Sequence, residues 1–115
     1  MPVRSLTSSV LRWPDPEAVR AAIRSWSADV GGRPGVLRVG CFGSLATGGW
    51  GVGSDVDLVL IVETSDQPPA RRSLAFDTLA LPVSADLLVY TAEEWSRLIA
   101  GGRDPIGPVE WLGDA

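Results

Sequence analysis

The sequence predicts an α/β (α+β) domain in which helices pack against a small mixed sheet of three to four strands. Apolar runs of strand length occur at residues 36–42, 55–63 and 83–91, and apolar residues at helical spacing lie between them. A chain of 115 residues buries roughly two-thirds of its unfolded surface, which suits one domain. We therefore expect a single domain over residues 1–115, with a core over about 15–100 and a tail over 101–115.

The first predicted helix begins at Pro16, with Asp15 as its N-cap, because proline is favoured at the first helical position. Its apolar residues recur at helical spacing: Val19, Ala22, Ile23 and Trp26. Gly31 and Pro34 end it. The strand over 36–42 follows, and it leads into a glycine-serine turn whose backbone N–H groups could face a phosphate.

A second helix is predicted from Pro68 to about Leu79, and the pair Arg71-Arg72 on it is expected to form a solvated face. After the strand over 83–91, Thr91 and Glu94 match a capping box, which predicts the start of a last helix. The glycines at 101 and 102 close that helix. The apolar patch at 109–112 is either a short strand or a docking segment.

Three aspartates fall on two of the predicted strands. Asp55 and Asp57 are two residues apart, so their side chains point the same way, with Cα atoms roughly 6.5 to 7 Å apart. Asp86 interrupts the apolar run of the next strand. If the two strands are neighbours, about 4.8 Å apart, the three carboxylates converge. Like charges about 4 Å apart repel by roughly 4 kcal/mol at an effective dielectric of 20, so bound cations or a shared proton must offset them.

Magnesium suits these acids better than zinc, because carboxylates are hard oxygen ligands and the chain has no histidine. The one cysteine, Cys41, falls in an apolar strand, where we expect a buried and inert thiol. Taken alone, an Asp-x-Asp pair is more often a solvated strand edge. The apolar run at 58–62 that follows Asp57 is typical of a strand covered on both faces, and this context favours a functional site.

The motifs Gly43-Ser44, Asp55-x-Asp57 and Asp86 together resemble the signature of the polymerase-beta-like nucleotidyltransferase superfamily, in particular its minimal, MNT-type group. In that family a glycine-serine pair begins a short helix ahead of an acid-hydrophobic-acid-hydrophobic strand, and a third acid lies on a later strand. The likeness extends from about residue 36 to residue 99. The chain departs from many relatives at Leu45 and Thr47, where they carry arginines that assist the phosphates.

The resemblance implies transfer of a nucleoside monophosphate, AMP from ATP in the first instance, to an acceptor hydroxyl with two Mg²⁺ ions. ATP or another nucleoside triphosphate is the implied substrate. The implied site residues are Asp55, Asp57 and Asp86 for catalysis and metal binding, and Gly43, Ser44 and Ser54 for nucleotide binding.

The resemblance also implies a protein partner, since minimal members act as antitoxins beside a separately encoded HEPN-type toxin. A homo-oligomer that completes the pocket is an alternative. Two other functions stay open: a catalytically inactive module of the same fold that binds a nucleotide or a toxin, and a transferase that modifies a small molecule such as an aminoglycoside.

Composition excludes several other classes. A net charge of −4 and a pI near 4.6 argue against nonspecific binding to nucleic acid. The ten basic residues are all arginine, which excludes a P-loop, and the hydrophobic residues after Asp57 exclude an EF-hand. No stretch approaches the roughly eighteen apolar residues of a membrane span, and residues 1–13 lack a signal-like core. We expect a cytoplasmic protein.

Overall fold

Four strands form one mixed sheet, and helices lie against it. The computed structural model describes residues 16–43, 55–79, 81–102 and 106–112. Its elements are α1 (Pro16–Gly31), β1 (Val36–Phe42), β2 (Val56–Val62), α2 (Pro69–Arg72), a 3₁₀ turn (Ser73–Ala75), β3 (Ala85–Thr91), α3 (Ala92–Ala100) and β4 (Val109–Trp111). The strand order is β3-β2-β1-β4, with β2 and β3 parallel and the other pairs antiparallel. The predicted fold class is confirmed.

The core lies between α1 and one face of the sheet. The helix begins at Pro16 and ends at Gly31, as predicted, while Asp15 lies outside the described residues. Its apolar stripe is buried and packs into one cluster with residues of β1 and β2: Val19, Ile23, Trp26, Val30, Val39, Cys41, Leu58 and Leu60. No helix among the described residues is long and apolar enough to cross a membrane.

The central strand β2 is covered on both sides, as its apolar run predicted. Every residue from 58 to 62 is buried. Leu58 and Leu60 belong to the cluster beneath α1, whereas Val59 and Ile61 alternate to the opposite face, which α3 contacts. Because Asp57 alternates with Leu58, its side chain points to the face opposite α1 and lies at the end of a rigid strand.

The helix predicted over 68–79 is wrong in its extent. The structure has only α2 and the 3₁₀ turn, and Phe76 is already extended, with φ −126° and ψ 122°. Leu74 and Leu79 are 78% and 90% exposed, so a longer helix here would have no apolar stripe to bury. Instead, the buried Trp26 donates its indole N–H to the Asp77 carbonyl at 2.7 Å and ties the segment to α1.

The interpretation of Arg71-Arg72 as a solvated pair is wrong for Arg72. This side chain is 8% exposed and donates to the carbonyls of Gln67 and Val89 at 3.0 and 3.2 Å. It also forms a bidentate pair with Glu94, at 2.6 and 3.0 Å. Neighbouring positions on a helix face different directions, so Arg71 stays exposed while Arg72 points inward.

The predicted capping box begins α3 and joins it to α2. The Thr91 hydroxyl accepts from the Glu94 backbone N–H at 3.2 Å, and the Glu94 carboxylate accepts from the Thr91 N–H at 2.9 Å. The hydrogen bonds from Arg72, followed by those from Thr91, lower the pKa of Glu94 to about 2. One carboxylate therefore caps α3 and neutralises the buried guanidinium.

The apolar patch after residue 106 is the short strand β4, one of the two predicted alternatives. It pairs with β1, where Gly40 lies opposite Trp111. A Cβ on Gly40 would stand 2.6 Å from Val109 and 2.8 Å from Trp111, so the missing side chain lets β4 pack closely. Next to this pair Cys41 is buried, as expected, and burial followed by the charge of Glu110 raises its thiol pKa to about 11, which keeps it protonated.

Candidate active site

Parallel pairing of β2 and β3 brings two of the three predicted acids together. Asp57 and Asp86 are Cα partners across the two strands, so their side chains project from the same face at neighbouring positions. Asp55 precedes β2 by one residue and is exposed. The backbone N–H of Val56 donates to the Ser84 carbonyl at 3.0 Å, and this hydrogen bond holds the first residues of β2 and β3 side by side. The three aspartates thus lie at one end of the sheet.

The electrostatic state of Asp57 reflects this grouping. Its pKa is raised, first by burial and then by the charges of Asp86 and Asp55. Both neighbours therefore act on the Asp57 carboxylate, in agreement with its position at the same end of the sheet. A divalent cation at this end of the sheet would relieve the repulsion, whereas an anion alone would increase it.

The Asp57 carboxylate lies against the backbone of Gly43, the residue that follows β1. Gly43 has φ +71°, a conformation that L side chains rarely adopt, and a Cβ built on it would collide with the Asp57 carboxylate. The glycine therefore permits both the turn and the close approach of the acid. Ser44 and Ser54, the other predicted nucleotide-binding residues, lie outside the described residues, as do Leu45 and Thr47.

Replacing Gly43 with alanine is expected to destabilise the protein by about 2–4 kcal/mol, since a positive φ costs a non-glycine residue about 1–2 kcal/mol and the collision with Asp57 adds to it. Urea unfolding measures the effect. Gly102→Ala is the matched control, because Gly102 has φ +72° but nothing within 4 Å of the added Cβ. Equal losses in the two variants would show that the contact with Asp57 contributes nothing.

The donor chemistry of the three acids fits Mg²⁺. Carboxylate oxygens are the ligands that this ion prefers, and the charges of Asp86 and Asp55 add to burial in raising the pKa of Asp57. Within the described part of the chain, no three His, Cys, Asp or Glu side chains are already gathered closely enough to hold a metal ion. The fit is therefore one of position and donor type rather than of a preformed ligand sphere.

A cavity of about 530 Å³ opens beside Asp86, between the segment 73–78 and the first residues of β3. The sequence analysis did not predict this cavity, because it placed these residues inside a helix over 68–79. In the structure the helix ends at Arg72, and the residues after it form one side of the cavity. The Asp77-Thr78 turn was the available signal, as an aspartate that accepts a hydrogen bond two residues on is typical of turns rather than helices. In the structure the Asp77 carboxylate accepts from the Leu79 N–H at 2.8 Å.

Comparisons with known proteins gave one family model and one solved structure that match the chain. A family model described as a nucleotidyltransferase domain matches residues 23–101, a range that contains Gly43 and all three aspartates. The crystal structure of a candidate nucleotidyltransferase from Sulfolobus solfataricus is similar to this fold, with a TM-score of 0.64 and 15% sequence identity over 86% of this chain and 83% of that chain. No curated protein sequence matches the chain significantly. At that identity the likeness to the solved structure shows the fold alone.

Proposed function

Because the chain belongs to the nucleotidyltransferase domain family, we propose that it transfers a nucleoside monophosphate, in the first instance AMP from ATP, to an acceptor hydroxyl. The observation that carries this proposal is the register of β2 and β3, which places Asp57 directly beside Asp86. The charges of Asp86 and Asp55 both act on Asp57. Carboxylates grouped at one end of a sheet are suited to a magnesium-bound triphosphate.

Asp55, Asp57 and Asp86 would hold Mg²⁺, and we propose two ions. When bound, this metal neutralises charge on the phosphates and lowers the pKa of the attacking hydroxyl. Asp86 orients the acceptor hydroxyl and receives its proton as the oxygen bonds to the α-phosphorus. The bond between the α- and β-phosphates breaks, and pyrophosphate leaves.

Gly43, Ser44 and Ser54 are proposed to contact the nucleotide. The support for Gly43 is its backbone, which has no side chain at the point where β1 ends next to Asp57. A triphosphate whose metal is held by Asp57 would therefore lie next to the main chain at Gly43.

At a finer level, we propose that the protein belongs to the minimal, MNT-type group and acts in the cytoplasm as the antitoxin of a HEPN-type toxin, which it binds and adenylylates. The motif resemblance supports this proposal. Leu45 and Thr47, which replace the turn arginines of many relatives, favour a second candidate: an inactive module that binds the toxin or a nucleotide without transfer. An aminoglycoside-type acceptor and a homo-oligomeric site are further alternatives.

The experiment is to incubate the protein with Mg²⁺ and α-labelled ATP, with and without the protein encoded by the adjacent gene. We expect the label to move to the neighbouring protein with release of pyrophosphate, and chelation with EDTA to stop it. Tight complex formation without label would support the inactive module instead. Label on an added aminoglycoside, independent of the neighbour, would support the small-molecule transferase.

A further inference from the structure

The outer edge of β3 carries main-chain groups that point away from β2. Val56 pairs with Ala85, and its N–H donates to the carbonyl of Ser84, so the Ser84 carbonyl faces β2. Main-chain groups alternate in direction along a strand, so the even-numbered residues of β3 bond to β2 and the odd-numbered ones point outward. β3 is the last strand on this side of the sheet, and no further strand of the described chain pairs with it.

The second half of this edge is already occupied by side chains. Arg72 donates to the Val89 carbonyl at 3.2 Å, and the Thr91 N–H donates to the Glu94 carboxylate at 2.9 Å. Both contacts agree with the outward direction of the odd-numbered groups. They also keep another strand from pairing beside residues 89–91, as natural sheets protect their edges.

The first half of the edge, at Ala85 and Leu87, is not covered in this way. Across the residues that the structure describes, no hydrogen bond engages the outward N–H or C=O group of either residue. The cavity of about 530 Å³ is lined both by 85–87 and by the segment 73–78, so that segment does not close over the strand here. We call residues 85–87 the open edge.

Exposed leucines lie next to the open edge. Leu74, which lines the same cavity, is 78% exposed, and Leu88, the residue after the open edge, is 40% exposed. Exposed apolar side chains that lie together mark interaction surfaces. When a strand is added to a sheet, main-chain hydrogen bonds give affinity and alternate side chains give specificity. The open edge and its leucines offer both.

Asp86 gives the open edge its charge. It is exposed, and strand alternation turns its side chain to the face opposite α1. An antiparallel strand that is hydrogen-bonded to Ala85 and Leu87 places its intervening residue directly opposite Asp86, with Cβ atoms about 4.5–5.5 Å apart. A lysine or arginine at that position pairs with the carboxylate, whereas an acidic residue is repelled.

The same charge disfavours a second copy of this chain as the occupant. Two open edges that pair through Ala85 and Leu87 would bring two copies of Asp86 directly opposite each other, and like charges in that position destabilise a sheet. A register centred on Leu87 would instead bring Ala85 of one copy against Val89 of the other, where Arg72 already lies. The open edge therefore suits a polypeptide of different sequence.

We propose that the open edge binds an extended segment of a partner protein, which joins the sheet as an antiparallel strand beside β3. The segment forms hydrogen bonds with the main chain of Ala85 and Leu87, carries a basic residue opposite Asp86, and has an apolar residue on either side of it. This interaction does not depend on nucleotidyl transfer, because it uses main-chain groups at the edge of the sheet.

The test is an NMR titration of the ¹⁵N-labelled full chain, without nucleotide or Mg²⁺. The probe is a capped pentapeptide with a central lysine between two valines and a threonine at each end. In the free chain we expect the amides of Ala85 and Leu87 to exchange rapidly with solvent and those of Leu88 and Tyr90 slowly, and the peptide should protect the first two. Slow exchange of Ala85 and Leu87 in the free chain would overturn the proposal, since another segment or a second copy would then occupy the edge.

N-methylation of the peptide tests strand addition itself. In the proposed register both valines direct their N–H groups towards β3, and the lysine directs its N–H away from it. Methylation of the two valine nitrogens should therefore weaken binding at least about tenfold, because it removes two hydrogen bonds. Methylation of the lysine nitrogen is the matched control and should have little effect. Equal losses from the two changes would exclude strand pairing.

Charge at the open edge is tested by replacing the lysine of the peptide with glutamate, which should weaken binding about fivefold at low salt. Asp86→Asn should remove this preference. Asp66→Asn, which removes the same charge from an exposed position outside the edge, should retain it. A preference that survives Asp86→Asn would contradict the pairing of the basic residue with Asp86.

The outcomes separate this inference from the proposed function. If label moves from α-labelled ATP but the peptide does not bind at the open edge, the inference fails alone. If the peptide binds there and no label moves, the proposed function fails and the open edge stands as an interaction surface.

Discussion

Replacing Asp57 with asparagine is expected to lower nucleotidyl transfer by at least about a hundredfold to a thousandfold, the range seen when one preorganised electrostatic group is removed from an active site. Asp57 is a proposed metal ligand whose carboxylate lies against Gly43, and the charges of Asp55 and Asp86 both act on it. The measurement is transfer of label from α-labelled ATP. Asp66→Asn serves as the charge-matched control and should retain activity.

The same substitution should leave the fold at least as stable at neutral pH. The folded-state pKa of Asp57 is raised above its ordinary value of 3.8, first by burial. A group with a raised pKa adds stability below its unfolded value and loses that contribution as pH rises through the folded value. At pH 7 the ionised Asp57 therefore weakens the fold, and asparagine removes that cost.

Urea unfolding at pH 7 should give Asp57→Asn a midpoint equal to or above that of the wild type, with the advantage disappearing below about pH 4. Mg²⁺ should raise the melting temperature of the wild type more than that of the variant, because a ligand stabilises only the state that binds it. A variant that transfers label at the wild-type rate would refute the role assigned to Asp57. A strongly destabilised variant would show that the carboxylate is structural.

Replacing Arg72 with methionine is expected to cost about 2–4 kcal/mol of unfolding free energy, near the lower part of the range for breaking a buried ion pair. The change leaves the Val89 and Gln67 carbonyls without this donor and Glu94 without its counter-charge. Glu94 is 35% exposed, so water can solvate the unpaired carboxylate and reduce the loss of unfolding free energy. Arg71→Met, on the exposed side of the same helix, should change stability by at most about 0.5 kcal/mol.

The cost of Arg72→Met should also depend on pH. The hydrogen bonds from Arg72, above all, hold the pKa of Glu94 at about 2, below its ordinary 4.5. A depressed pKa gives stability that is present above the unfolded value and is lost as pH falls through the folded value. The gap between wild type and variant should therefore narrow between about pH 4.5 and pH 2. A gap that is constant with pH, or equal to that of Arg71→Met, would contradict this account.

The elements that the sequence predicted well are those determined by local pattern. The strands β1 and β2 follow from predominantly apolar runs of strand length, and α3 follows from a capping box whose two hydrogen bonds join residues three apart. The grouping of Asp57 with Asp86 needed one further assumption, that β2 and β3 are neighbours. The parallel pairing of β2 with β3 confirms that assumption.

The elements that sequence reasoning missed depend on distant partners. The early end of α2 reflects the hydrogen bond from Trp26 to Asp77, which are 51 positions apart. Arg72 is buried because Glu94, 22 positions later, faces it. No local pattern encodes the pairing of Arg72 with Glu94, so the buried arginine could be found only from the folded chain.

The pairing of β2 with β3 determines which length changes this protein can tolerate. Side chains alternate along a strand, so a single insertion between Ala85 and Asp86 that keeps the pairing of Ala85 would place the inserted residue opposite Asp57 and turn the acid to the sheet's opposite face. The connection over 63–84 does not depend on this alternation of side chains, so residues added near its exposed Asp66 would leave the strand register intact. Homologous chains should therefore vary in length between these strands and hardly at all within them.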